Sequence, residues 1–276
     1  MERYLNIIAF NIPWPANYGG IIDVYYKIKA LHQCGVKIIL HCFEYERAHS
    51  PELEAICEKV FYYKRHTGLR TNITLLPYNV YSRKHPELIA NLLKNDYPIL
   101  FEGLHCCYYI NDPRLHNRKK IYREANIEHD YYYHLAQAES HPIRKSFFRI
   151  EAWRFKHYQK ILKHADLMIA VSTTDADYLR RHFPCISGVL DKRSPEDSSF
   201  FQLWLNSLIP QYFTRPTSVT GRSFFLPIEK TVPDRKHPTP TQMNRNTSSL
   251  LADMGSRMTN APSRKTVVGK RYCMMP

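Results

Sequence analysis

The chain has 276 residues, 44% of them apolar, enough for one large domain or two ordinary ones. Its 39 Lys and Arg against 25 Asp and Glu give a formal charge of +14. That balance excludes a collagen-like, an acidic disordered or a membrane-spanning protein and leaves a basic globular one. The first apolar stretch, Leu5 to Pro13, is interrupted by Asn6 and Asn11 and followed by Pro15, Gly19 and Gly20. It is too short to cross a bilayer and lacks a signal peptide's basic flank and cleavage site, so a cytoplasmic location is expected. The seven cysteines, Cys34, Cys42, Cys57, Cys106, Cys107, Cys185 and Cys273, contain no C-x-x-C pair. They read as reduced thiols, mostly in the core, rather than as a disulfide frame or zinc site.

Composition breaks after Pro184. Residues 1–184 hold all but two of the 20 tyrosines and all but one of the 14 histidines, while residues 185–276 hold twice as many Ser and Thr. The net charge divides equally, so charge does not cause the break. Two regions are therefore expected: a folded domain over 1–184 and a low-order, basic, Pro/Ser/Thr-rich tail over 185–276.

The first region alternates strand and helix signals. Tyr4 to Pro13 is a β-rich run ending in turn residues; Tyr18-Gly19-Gly20 comes next, and Ile22, Tyr25, Ile28 and Leu31 recur at helical spacing. Gly35 stops that helix, and Val36 to Phe43 reads as a second strand, closing a strand–helix–strand unit whose strands are parallel by default. Lys59 to Tyr63 is a third strand, Pro86 to Leu93 a helix opened by proline, and Pro98 to Glu102 and Lys120 to Arg123 are short buried strands. A long amphipathic helix is predicted from Arg144 to His164, then a strand over Leu167 to Val171. Ser172 caps a last helix running through Tyr178 to His182, with Asp175 in its first turn. This order predicts an α/β fold with a Rossmann-like, doubly wound, mostly parallel sheet.

Such sheets bind ligands beyond the carboxyl ends of their strands, and four places there carry candidate chemistry. Gly19 and Gly20, at a helix start, let backbone amides approach a phosphate; they serve equally to make a tight turn. No G-x-G-x-x-G occurs, which argues against a nicotinamide or flavin dinucleotide. Glu102-Gly-Leu-His105 puts an imidazole at the crevice rim, where it can donate to a substrate oxygen or be structural. Arg123 to Tyr133 is dense in polar and aromatic groups, with Arg123, Asn126, Glu128 and Tyr132 as acceptor-binding candidates against a plain solvated helix start. Ser172 is explained by capping alone. His129, His134 and His141 do not share a helix face, so no metal site is expected.

Together, these stretches resemble the N-terminal half of a bacterial GT-B glycosyltransferase of the retaining, family-4 type. The elements are Gly19-Gly20 with the helix after them and Gly35-Val36; Glu102-Gly-Leu-His105; Arg123-Glu-Ala-Asn-Ile-Glu128-His-Asp-Tyr-Tyr132; and Ala165-Asp-Leu-Met-Ile-Ala-Val-Ser-Thr-Thr-Asp175. They fall in the family's order and cover about two thirds of the chain. Where relatives often read Arg-x-His-Asn, this chain has Arg123-Glu-Ala-Asn126. The resemblance implies an acceptor-side domain, with the glycine loop near the donor diphosphate and His105 catalytic, near the sugar transferred. It implies a nucleotide sugar as co-substrate, a glycan or lipid-linked acceptor, and no cofactor or metal, since basic groups and helix dipoles stabilise the leaving diphosphate.

The family's second, donor-binding half is not recognisable. After Cys185 the only glutamates are Glu196 and Glu229, without a glycine loop. Phe200 to Ile209 is one apolar patch suited to a short helix, and five prolines from Pro216 to Pro240 interrupt regular structure beyond it. Disorder is expected there, as in a stretch translated out of frame or a genuine basic tail. The chain as written then reads as truncated and inactive. The alternative is a non-catalytic basic protein on an anionic membrane surface or nucleic acid. Basic residues from Arg144 to Lys163, with Phe147, Phe148, Trp153 and Phe155 between them, suit peripheral contact with the inner face of the plasma membrane. Nucleic acid is not expected as a partner, because no motif for it is found.

Overall fold

The computed structural model describes residues 2–68, 71, 73–184 and 189–191. Strand β1 (Arg3–Ala9) leads into helix α1 (Gly19–Gln33), strand β2 (Val36–Glu44), helix α2 (Pro51–Ile56) and strand β3 (Lys59–Lys64). Helices α3 (Tyr78–Tyr81) and α4 (Pro86–Leu92) precede strand β4 (Ile99–Glu102), and two 3-10 turns separate that from strand β5 (Lys120–Arg123). Helices α5 (Glu128–Ala138) and α6 (Pro142–Tyr158) come next, then strand β6 (Leu167–Ala170), helix α7 (Thr173–His182) and strand β7 (Val189–Asp191). All seven strands are parallel, in the order β3-β2-β1-β4-β5-β6-β7. This is the doubly wound α/β fold that the alternating signals predict.

Among the described residues the chain forms two compact units, one reaching His129 and resuming at Trp153, the other spanning Asp130–Ala152. The sheet lies wholly in the first. In the second, the Tyr132 ring packs 6.2 Å from that of Phe148, and Glu139 accepts a hydrogen bond from the His141 amide at 2.9 Å.

Local chemistry accounts for the boundaries. Ile7, Ile8, Ile38, Leu40, Ile99 and Leu100 are fully buried, as central parallel strands covered on both faces require. Gly35 ends α1 at φ 75°, a left-handed conformation that favours glycine. Ser50 caps α2 with Pro51 at its first position, and the Ser172 hydroxyl accepts from the Asp175 amide at 3.1 Å to cap α7.

The differences are local. The buried face of α1 is Ile21, Val24, Ile28 and Leu31: Ile28 and Leu31 are as predicted, while Ile21 and Val24 take the places expected of Ile22 and Tyr25, and Ile22 is exposed. The predicted helix to His164 gives way after Tyr158 to a 3-10 turn, Gln159–His164. Helices α2 and α3 are too short to show a period. Strand β7 extends the sheet past Pro184, where three residues carry no readable pattern. The rest of 185–276, with the expected disorder, the Phe200–Ile209 helix and the frame-shift reading, lies outside the described residues. Of the described cysteines, Cys42, Cys57, Cys106 and Cys107 are buried free thiols, and burial pushes Cys57 and Cys106 up to about 12.

One polar chain crosses this core. The His41 ring donates through Nε2 to Asn6 Oδ1 at 3.1 Å and accepts at Nδ1 from the Tyr63 hydroxyl at 2.8 Å. Asn6 Nδ2 in turn donates to Asn95 Oδ1 at 2.9 Å, and Asn91 Nδ2 donates to the Tyr63 oxygen at 3.0 Å. Each group is thereby satisfied without water. Burial, with Arg118 adding, lowers His41 from 6.5 to about 3. The unfolded chain therefore binds a proton that the native state refuses, and stability falls as pH drops from about 6.5 towards 3. The contribution of one such group is at most about 1.4 kcal/mol per pH unit. His41→Phe is expected to flatten that slope and, by leaving Asn6 Oδ1 and the Tyr63 hydroxyl proton without a partner, to cost about 1–3 kcal/mol at pH 8. Urea unfolding of both proteins between pH 4 and 8 measures the two effects.

Candidate active site at the switch point of the sheet

From β1 the chain winds outward through β2 to β3 and then returns to β4 on the other side of β1. Winding reverses there, so the crevice of the sheet opens beyond the carboxyl ends of β1 and β4. The start of α1 comes after β1, Gly103 to His105 after β4, and Glu124 to Glu128 after β5.

Helix α1 begins with Tyr18 extended at its N-cap, with no side-chain cap and no acidic residue in its first turn. First-turn amides of this kind favour an anion. A Cβ on Gly19 would meet nothing within 4 Å. The loop leading to it is held by two arginines. Buried Arg83 donates to the Phe10 carbonyl from Nε at 3.1 Å and Nη2 at 2.9 Å. Arg47 donates to the Pro15 carbonyl at 2.8 Å and to Asn17 Oδ1, with its guanidinium 5.1 Å from the Tyr18 ring centroid.

Behind that turn, four charges tie α1 to the sheet. Lys27 Nζ lies 2.6 Å from Glu102 Oε1 and 3.2 Å from Asp23 Oδ2. Arg123 Nη2 lies 2.7 Å from Asp23 Oδ2, and its Nη1 lies 3.7 Å from Glu102 Oε2. Two carboxylates and two cations balance. Burial holds the Lys27 ammonium below its ordinary value, Arg123 adding to the effect while Glu102 and Asp23 oppose it. Sequence reading missed Asp23 and Lys27, whose signal was an acid–base pair four apart on the flank of the buried face of α1.

The second cluster surrounds His105. Gly103 takes φ 81° and donates its amide to the Arg123 carbonyl at 3.0 Å, turning the chain sharply off β4. His105 is 8% exposed; its ring meets Phe155 edge-on at 5.5 Å, and its Nε2 stands 3.3 Å from Glu128 Oε2. Neighbouring Glu124 accepts from the Tyr122 hydroxyl at 2.8 Å and from the Asn126 amide at 3.2 Å. Burial, reinforced by Glu128, pushes the Glu124 carboxyl well above the usual range, which favours its neutral form.

Of the predicted residues, the first unit therefore places Gly19 and Gly20 at the start of α1 and His105 just beyond β4. Arg123 is engaged in the four-charge network, Glu128 is buried against His105, and Asn126 is exposed. Tyr132 is buried in the second unit. Among the described residues, no three His, Cys, Asp or Glu stand together as metal ligands would, and no helix is long and apolar enough to cross a membrane.

No protein-family model matches the chain. It is similar to an uncharacterized 44.6 kDa protein in the cps region of Klebsiella pneumoniae, 27% identical over 192 residues. The match takes in 64% of this chain and 49% of that protein, so the chain spans about half the length of the curated relative it matches. Among solved structures, sucrose-phosphate synthase from Thermosynechococcus elongatus gives a TM-score of 0.44 at 17% identity, over 68% of this chain and 47% of its own. UGT71G1 of Medicago truncatula, complexed with UDP-glucose, gives 0.43 at 10% identity, over 75% and 57%.

The network can be tested by removing one member. Arg123→Met leaves two carboxylates beside one lysine in a buried setting, and such uncompensated charge costs about 3–5 kcal/mol. Urea unfolding is expected to show that loss.

Proposed function

We propose that this chain is the acceptor-side domain of a GT-B glycosyltransferase that moves a sugar from a nucleotide donor to a glycan or lipid-linked acceptor. One observation carries the reading: the helix start of Gly19 and Gly20 and the imidazole of His105 both come directly after strands that flank the switch point of the sheet. In this reading the first-turn amides of α1 draw the leaving diphosphate through its charge, and His105 contacts the sugar being transferred. The family-4, retaining assignment rests on the motif resemblance alone. The relative in a cps region fits work on a capsule polysaccharide. A lipid-linked acceptor would bring the chain to a membrane surface, where exposed Trp153, Lys156 and Lys160 suit anionic headgroups.

Transfer needs both reactants held together, a positioning that accounts for roughly 7–11 kcal/mol of barrier lowering. The segment 185–276 carries none of the family's donor-binding motifs. The purified 276-residue chain is therefore expected to form no product from UDP, GDP or ADP sugars and to bind them no better than at roughly millimolar level, as a few amides in water compete poorly with solvent. Product from a radiolabelled donor, or micromolar binding by calorimetry, would overturn the truncation. In a chain completed by a donor-binding domain, His105→Ala is expected to lower kcat about 100-fold or more with the fold intact. Unchanged turnover would return His105 to a structural role.

A further inference from the structure

Glu128 reads from sequence as a group for the acceptor, yet its carboxylate turns inward. The His105 and Glu128 side chains are 10% and 4% exposed, and Nε2 of the ring stands 3.3 Å from Oε2. That is an ion-pair distance, but Nε2 makes no hydrogen bond among the described residues. A buried ring nitrogen left unpaired is costly, and Glu128 supplies the carboxylate within reach. Catalytic hydrogen bonds are often long or poorly aligned until substrate binds, and a small rotation of either side chain closes this one.

The other sides of the ring are also determined. Phe155 meets it edge-on at 5.5 Å, fixing the ring plane. On the Nδ1 side stands left-handed Gly103, where a Cβ would lie 3.7 Å from that nitrogen, at ordinary contact distance. Glu124 is held towards its neutral form by burial and by Glu128, which relieves like-charge repulsion at the Glu128 carboxylate.

We propose that Glu128 is the positioning residue of His105: its carboxylate accepts the Nε2 proton's hydrogen bond, so the neutral imidazole presents the Nδ1 lone pair to a substrate hydroxyl. His105 then accepts through Nδ1 where sequence reading has it donating. The inference rests on His105 being the ionisable group of the proposed site, but concerns only which nitrogen faces outward and what holds it there.

The test uses the 276-residue chain labelled with 15N-histidine, in two-bond 1H–15N correlation spectra at pH 8. The His105 signals are assigned by their loss in His105→Asn. Expected are an unprotonated Nδ1, a protonated Nε2 and a downfield Nε2 proton protected from exchange. Glu128→Gln, which keeps an acceptor oxygen, retains that proton resonance. Glu128→Leu loses it, with exchange faster by about 10-fold or more, the scale of a charge-assisted hydrogen bond removed. A proton on Nδ1 in the unsubstituted chain overturns the proposal, as does unchanged exchange in a folded Glu128→Leu. Should Glu128→Leu not fold, the tautomer of the unsubstituted chain and the Glu128→Gln spectrum decide. None of these readouts involves sugar transfer, so the glycosyltransferase reading can fail in assay while the Glu128–His105 pair stands, and the reverse.

Discussion

Helix α1 has to be held against the ends of β4 and β5 for the switch point to present a site, and the four charges of Asp23, Lys27, Glu102 and Arg123 do this. The backbone hydrogen bonds of a parallel sheet run between its strands, so its helices are held by apolar contact, which is not directional. Ion pairs at 2.6 and 2.7 Å between α1 and two strand ends add direction. Because the two positive and two negative charges are desolvated together, each depends on the others, and losing one leaves an uncompensated charge. The position of the α1 start is therefore set by side chains one to two turns further along.

The same logic recurs in the core. Asn6 and His41 are fully buried polar residues on two adjacent interior strands, β1 and β2, where a parallel sheet ordinarily carries only aliphatic side chains. They are tolerated because Asn95, Tyr63 and Asn91 complete their hydrogen bonds. Such a network is costly when half made and orders its neighbours when whole, so it also supports the register of β1 against β2 and of β2 against β3.

Around His105, backbone and side chains cooperate. The left-handed Gly103 bends the chain off β4 so that the ring is carried beyond the strand end, and Phe155 and Glu128 meet it there. The acids Glu124 and Glu128 sit close enough that burial and mutual repulsion raise one of them, as crowded carboxylates do. The outcome is an imidazole met by a ring and a carboxylate drawn from different segments.

Much of the fold is legible from the chain alone, because its signals are local. Six of the seven strands can be read from short apolar or β-rich runs, and the caps at Ser172 and Gly35 from the chemistry of helix ends. The places of Gly19, Gly20 and His105 after strands can also be read from the chain. What the chain alone left open concerns groups far apart in sequence. Arg123 and Glu128 look from their neighbours like groups facing a substrate, since a run of polar and aromatic residues says nothing about the direction each side chain takes. Arg123 is drawn to Asp23, which lies 100 positions earlier, and Glu128 to His105 across the β4–β5 connection. Only the packed sheet brings those partners within ion-pair distance, and at that distance burial and charge, rather than residue type, decide which groups bind one another and which remain for a ligand.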